Sequence, residues 1–268
     1  AYKRKQQKKL TTIIIAFLVM LAFLFFFFAE LFPRIVIRFV SAEQETKMGE
    51  QTFNSLVADK QINSMATMQL QSFADHLELS NQYPIKITVV EEEDLNAFAL
   101  PGGHIIVNTG IIEKMDSSNA MVALLSHETI HINRRHSLQN ILSAMSTGIL
   151  VSLITHGGGG FTQFILGNAN LLRELSYSRK LEKIADESGM LLMERNGISA
   201  KGMLDLMETL QAEEADKNLA PISFLSTHPV TEERIESAKK FIAARKNEHH
   251  TKDLALDDIW KQIKISVK

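Results

Sequence analysis

A mainly helical α+β domain with a small sheet beside a cleft, carried behind one N-terminal transmembrane helix, is the architecture this sequence predicts. Three observations predict it. An uncharged run dense in Ile, Leu and Phe extends from Leu10 to Ala29. Beyond it, apolar residues recur mostly at helical spacing, as they do from Asn119 to Arg135. Two short stretches depart from that period: Ile85 to Val90 alternates apolar and polar side chains, and Ile105-Ile106-Val107 is β-branched.

The first element is the anchor, assigned to residues 10–32. A run of about 20 apolar residues is long enough to span a bilayer. A cleaved signal peptide would have an apolar region of only about 7–15 residues with a small-residue cleavage site close behind. Here the nearest such site, Val40-Ser41-Ala42, lies beyond Pro33, Arg34 and Arg38. Residues 1–9 carry Lys3, Arg4, Lys5, Lys8 and Lys9, which are expected to stay cytoplasmic and send everything after Phe32 across the membrane. In a bacterium that places the domain on the periplasmic side of the inner membrane. The chain contains no cysteine, which suits an oxidising compartment. Its formal net charge of −2 gives no support for nucleic acid as a partner.

Residues 41–245 are expected to form one domain. An amphipathic helix from Ile62 to Leu79 leads into the two strands, which are joined by a turn-rich link containing Pro101-Gly102-Gly103. A strand beside a cleft can pair with an extended polypeptide. Residues 141–172 form two short apolar arms around Gly157-Gly158-Gly159-Gly160. They read as a membrane-apposed hairpin or lid, with a pair of transmembrane helices as the alternative. Helices follow from Ala200 to Leu210 and from Glu232 to Ala244. Residues 246–268 are a C-terminal tail whose apolar patch around Trp260 either docks on the domain or binds a partner.

His127-Glu128-Thr129-Ile130-His131 lies within the helical stretch that begins at Asn119. Residues four apart share a helix face, so both imidazoles can occupy two corners of one tetrahedral zinc site. Glu128 beside them can accept a proton from a water whose pKa the metal lowers to about 7. Taken alone, the pentad is also compatible with a solvated helix face. A third ligand in the same run would need Gly at position 134 and His at position 137, which hold Arg134 and Ser137. His136 misses that register by one residue and reads as a helix-end or locally hydrogen-bonded histidine. The remaining route is a glutamate from another helix.

The stretch from Ser178 to Gly189 offers one. Glu182 and Asp186 stand four apart on one side of an amphipathic helix, where Glu182 can complete the metal shell and Asp186 can accept the second ring N–H of a ligand histidine. The plain alternative is that both are surface charges.

His127-Glu128-x-x-His131 followed by Ser178-Arg179-x-x-Glu182-x-x-Ala185-Asp186 resembles the membrane-associated gluzincins of peptidase family M48. The OMA-type branch is suggested by Ser41 to Glu50, Asn96 to His104, Val107 to Gly110, and Ser226-Thr227-His228-Pro229 with Glu233-Arg234-Ile235. The resemblance runs from Ser41 to Ala243. It implies a gluzincin-like zinc endopeptidase with one zinc ion on His127, His131 and Glu182, Glu128 as the base and Asp186 orienting a ligand. It also implies that His228 lies near the metal, either donating to the oxyanion or occupying the open metal position as a latch. Arg234 can pair with a carboxylate of the active-site helix. The substrates it implies are misfolded or damaged membrane and envelope proteins, bound in extended form. The expected partners are those polypeptides, the lipid bilayer, and a membrane complex or a second copy of the chain. Two other classes stay open: a non-hydrolytic chaperone or assembly factor with structural zinc, and a scaffold for a membrane complex.

Overall fold

The computed structural model describes residues 2–27, 31–155, 175–215, 222–245 and 254–267. The far arm of the expected hairpin, with its glycine tip, lies outside the described residues.

Helix α1 (Tyr2–Phe26) contains, from Gln6 to Phe26, the one stretch among the described residues long and apolar enough to cross a membrane, and none of it is buried. A short α2 (Phe32–Val36) follows. Ser41 then starts α3 (Ala42–Val57) with a reciprocal cap: its hydroxyl accepts from the Gln44 backbone, and the Gln44 side chain accepts from the Ser41 N–H. Helix α4 (Ser64–Asp75) starts at Asn63, whose side chain accepts from Ala66.

The sheet has three strands in the order β1 (Lys86–Val90), β3 (His104–Asn108), β2 (Ala97–Ala99). β1 runs parallel to β3 and β2 antiparallel to it, which leaves β2 on an edge. The sequence pattern did not mark β2, because three residues are too few to display an alternation. Between β2 and β3 the chain turns through Pro101-Gly102-Gly103, with φ at +77° and +112° at the two glycines. α3 can lie against this turn only because residue 49 is glycine: a Cβ there would sit 1.8 Å from the Pro101 carbonyl oxygen. His104 is a structural residue here, with Nε2 2.8 Å from Glu50 Oε2 on α3 and its ring stacked on Phe53.

After α5 (Thr109–Lys114) comes the central helix α6 (Ser118–Asn133), which is buried on every side from Ala120 to Ile132. A helix enclosed in this way has no solvent face, so His127, Glu128 and His131 lie in the interior. α6 ends at Arg134, and Arg135 adopts φ 59°, the left-handed conformation that usually belongs to glycine after a helix. Its guanidinium meets three acceptors: the Ile37 carbonyl at 2.9 Å, the Val40 carbonyl at 2.8 Å and the buried Glu45 carboxylate at 2.7 Å. The Tyr83 hydroxyl donates to the same carboxylate oxygen at 2.8 Å. The segment following α2 is thereby pinned to the end of α6. The chain then enters α7 (His136–Thr155), which also packs on α2.

Helix α8 (Arg179–Arg195) lies against α6 through Glu182, Ala185, Asp186, Gly189 and Met193, while Lys183 is exposed. α9 (Lys201–Ala215) packs on the same central helix. A short α10 (Ser223–Thr227) and α11 (Glu232–Ala243) complete the surround.

The C-terminal segment forms α12 (Leu254–Ser266), which docks on α4 and buries Leu256, Trp260 and Ile263 in the main core. Of the two alternatives for this region, docking on the domain is the one seen. Lys264 extends across to the end of α5 and donates to the carbonyls of Ile112, Glu113 and Met115 at 3.3, 2.6 and 2.9 Å. Trp260 is 6 % exposed, with its ring centroid 6.4 Å from that of the fully buried Phe73. Trp260→Ala should therefore lower unfolding stability by about 3–5 kcal/mol. A denaturant titration checks this, and an unchanged midpoint would mean that α12 is peripheral.

Candidate metal centre

His127 and His131 are one helical turn apart on α6 and face α8, whose first turn contains Glu182. Glu128, next to His127 in the chain, is fully buried beside the two rings. The loop between α10 and α11 carries His228 inward. Its backbone N–H donates to the Phe224 carbonyl at 2.7 Å, and its ring lies between the rings of Phe224 and Tyr177, with centroids 4.5 and 5.0 Å away.

Four side chains converge: one donor atom from each of His127, His131, Glu182 and His228 lies within 4.8 Å of the other three, and all four residues are buried. His127 Nε2 is 3.1 Å from His131 Nε2 and 3.2 Å from His228 Nδ1. His228 Nδ1 is 3.0 Å from Glu182 Oε1. The Glu182 oxygens are 3.5 Å from both His127 Nε2 and His131 Nε2. Donors at about 2.0–2.1 Å from a common tetrahedral centre stand roughly 3.3–3.4 Å apart, so these separations suit such a set.

The atoms behind the rings indicate what faces the centre. His127 Nδ1 is 3.1 Å from Asp186 Oδ1, a carboxylate that accepts its N–H and leaves a lone pair on Nε2. His131 Nδ1 is 3.1 Å from His136 Nδ1. Ring lone pairs and a carboxylate crowded at these distances repel one another unless a cation lies among them. The residues present fit a metal ion.

The acids of the centre favour positive charge there, whether a metal ion or a proton. Burial pulls the His127 pKa down, yet Glu182 and Asp186 overcome it and hold it up at about 10. Burial drives His131 well below the ordinary histidine value. The Glu182 carboxyl is desolvated, but His228 and His127 hold its pKa far below the usual range. Burial raises Glu128, against the pull of His228 and His127. Among the described residues, neither oxygen of Glu128 has a hydrogen-bond partner. His228 Nε2 lies 3.6 Å from Oε1, and the Ala99 backbone also opposes the rise.

Arg234 closes the back of the site. It grips Asp186 with two bonds of 2.7 Å, places Nη1 2.7 Å from Glu182 Oε2 and donates to the Pro229 carbonyl at 2.9 Å. Glu182 Oε2 accepts no aligned hydrogen bond, so its contact with Arg234 is electrostatic. Where the sequence suggests a carboxylate of the active-site helix, Arg234 pairs with two acids of α8, Glu182 and Asp186. All six residues singled out as site candidates, His127, Glu128, His131, Glu182, Asp186 and His228, meet here.

Tyr177 went unremarked in the sequence. Its ring centroid is 3.8 Å from that of His131, its hydroxyl is 3.1 Å from Ser137 Oγ, and its backbone N–H donates to the Thr227 carbonyl. Only its place directly before Ser178-Arg179 could have drawn notice. Breaking a buried ion pair by removing one partner costs about 3–5 kcal/mol. Arg234→Met should destabilise the chelator-treated protein by that order, as read by thermal or denaturant unfolding, and stability unchanged from the parent would contradict the ion-pair account.

A model of peptidase family M48 matches residues 60–242. Among curated proteins, the chain is similar to the mitochondrial metalloendopeptidase OMA1 of Schizosaccharomyces pombe, at 31 % identity over 63 % of this chain and 50 % of that protein. It is 23 % identical to the beta-barrel assembly-enhancing protease of Escherichia coli, over 75 % of this chain and 44 % of that one. It is 29 % identical to the metalloprotease LoiP of Escherichia coli, over 61 % of this chain and 65 % of that one. The chain therefore spans about half the length of the first two relatives.

Proposed function

This chain belongs to peptidase family M48, and we propose that it is a membrane-anchored zinc endopeptidase that hydrolyses misfolded or damaged membrane and envelope proteins. The reading rests foremost on the buried set of His127, His131, Glu182 and His228 with the fully buried Glu128 beside it. His127, His131 and Glu182 would hold one zinc ion. Zinc in that position supplies a Lewis acid for the scissile carbonyl and acidifies water. Glu128 takes the proton released as water adds to the carbonyl carbon and passes it to the amine nitrogen that departs as the C–N bond breaks. Its environment suits the task, since burial raises its affinity for a proton. Asp186 fixes the His127 tautomer. An extended substrate would add to the free edge of β2, which lies next to α6.

His228 has two roles compatible with its position: donating to the oxyanion, or closing the donor set as a latch that substrate displaces. Its Nδ1, 3.0–3.2 Å from Glu182 and His127, favours the latch in this conformation. α1 would anchor the domain to the bilayer, with the basic N-terminus cytoplasmic and the site on the opposite side. A membrane complex or a second copy remains the expected partner beyond the substrate.

Glu128→Gln should bind one equivalent of zinc yet lose at least about 10²-fold in cleavage of an unfolded reporter polypeptide. Metal analysis and proteolysis of the same preparation check it, and undiminished turnover would favour the chaperone or scaffold class. His228→Ala separates the two roles of that histidine. Activity rises if His228 is a latch and falls by about 10²-fold if it stabilises the oxyanion.

A further inference from the structure

His136 is 5 % exposed, is the first residue of α7, and presents Nδ1 to His131 Nδ1 at 3.1 Å. The turn that brings it there is the left-handed Arg135, which redirects the chain after α6 so that a residue five positions on faces back to His131. This mirrors Asp186, which stands 3.1 Å behind His127 Nδ1. The two rings that face the proposed ion are thus each supported from behind, one by a carboxylate and the other by an imidazole.

We propose that His136 is a positioning residue for the metal: its Nδ1 accepts the Nδ1–H of His131 and so holds the lone pair of His131 Nε2 toward the ion. The inference rests on the zinc reading above. The direction of the bond follows from that reading, because a proton on His131 Nε2 would point into the donor set, 3.1 Å from His127 Nε2. A neutral imidazole keeps one ring nitrogen free to accept, and at 3.1 Å the Nδ1 of His136 is placed to do so. Because a neutral imidazole polarises its partner less than a carboxylate does, His131 should be the weaker donor of the pair.

Two amide substitutions separate positioning from packing. In asparagine the side-chain oxygen is bonded to Cγ, as Nδ1 is in histidine. In glutamine it is one atom further out. His136→Asn therefore keeps an acceptor near the Nδ1 position, and His136→Gln does not. Both variants are prepared in the full chain in detergent, alongside the parent and His131→Ala, and zinc affinity is measured by competition with a chromophoric chelator. The cobalt-substituted visible spectrum reports the ligand field. Loss of a hydrogen-bond partner behind a ligand typically costs 10–100-fold in metal affinity, so His136→Gln should weaken zinc by about that factor while His136→Asn stays within about threefold of the parent. The cobalt bands should shift in the glutamine variant alone. Equal affinities for the two variants, whether both strong or both weak, would overturn the proposal, as would failure of both to fold, which would make His136 a packing residue. If instead the parent binds no stoichiometric zinc, or binds it no better than His131→Ala, the metal reading itself fails.

Discussion

Asp186 joins three separate helices through one carboxylate. Its Oδ1 lies 3.1 Å from His127 Nδ1 on α6, and both oxygens accept from the Arg234 guanidinium on α11. It sits one turn along α8 from Glu182, to which Arg234 Nη1 also comes within 2.7 Å. Buried at 3 % exposure, such a group is stable only while its partners stay in place, since an unpaired buried charge is costly. The orientation of His127, the depth of Glu182 and the position of the loop carrying His228 all depend on this network. Arg234 also meets the carbonyls of His228 and Pro229, so the loop and the two acids share a single cation.

A second constraint works from the other end of α6. Arg135 occupies a left-handed conformation and binds the carbonyls of Ile37 and Val40, so the segment leading from α1 and α2 is fastened to the helix bearing His127 and His131. The helix is thus held at its middle by Asp186 and just past its end by Arg135. The histidine between these two points of fixation, His131, has aromatic support from Tyr177 and an imidazole behind it.

Much of the architecture was legible because it rests on local periodicity. The strand at Lys86–Val90 follows from alternation, that at His104–Asn108 from its β-branched run, and the helices at Ser118–Asn133, Arg179–Arg195 and Glu232–Ala243 from helical spacing. β2 escaped because Ala97–Ala99 is too short to show a period. The docking of α12 is not legible for a different reason. The pattern around Trp260 announces an amphipathic helix but not the surface it meets, and that surface lies on α4, far earlier in the chain.

The sequence alone determined the donor chemistry: two imidazoles and an acid in the pentad, a glutamate and an aspartate four apart further on, and an uncharged run long enough to span a bilayer. These follow from bond lengths and helical pitch, which act over a few residues. Only the tertiary structure decided that His228 enters the donor set, that Arg234 serves both acids, and that Tyr177 and His136 flank His131. Each of these depends on where chain segments distant in sequence, or a sharp turn between two helices, bring their atoms within a few ångströms. That placement is set by burial and charge pairing across the whole core, and no local pattern encodes it.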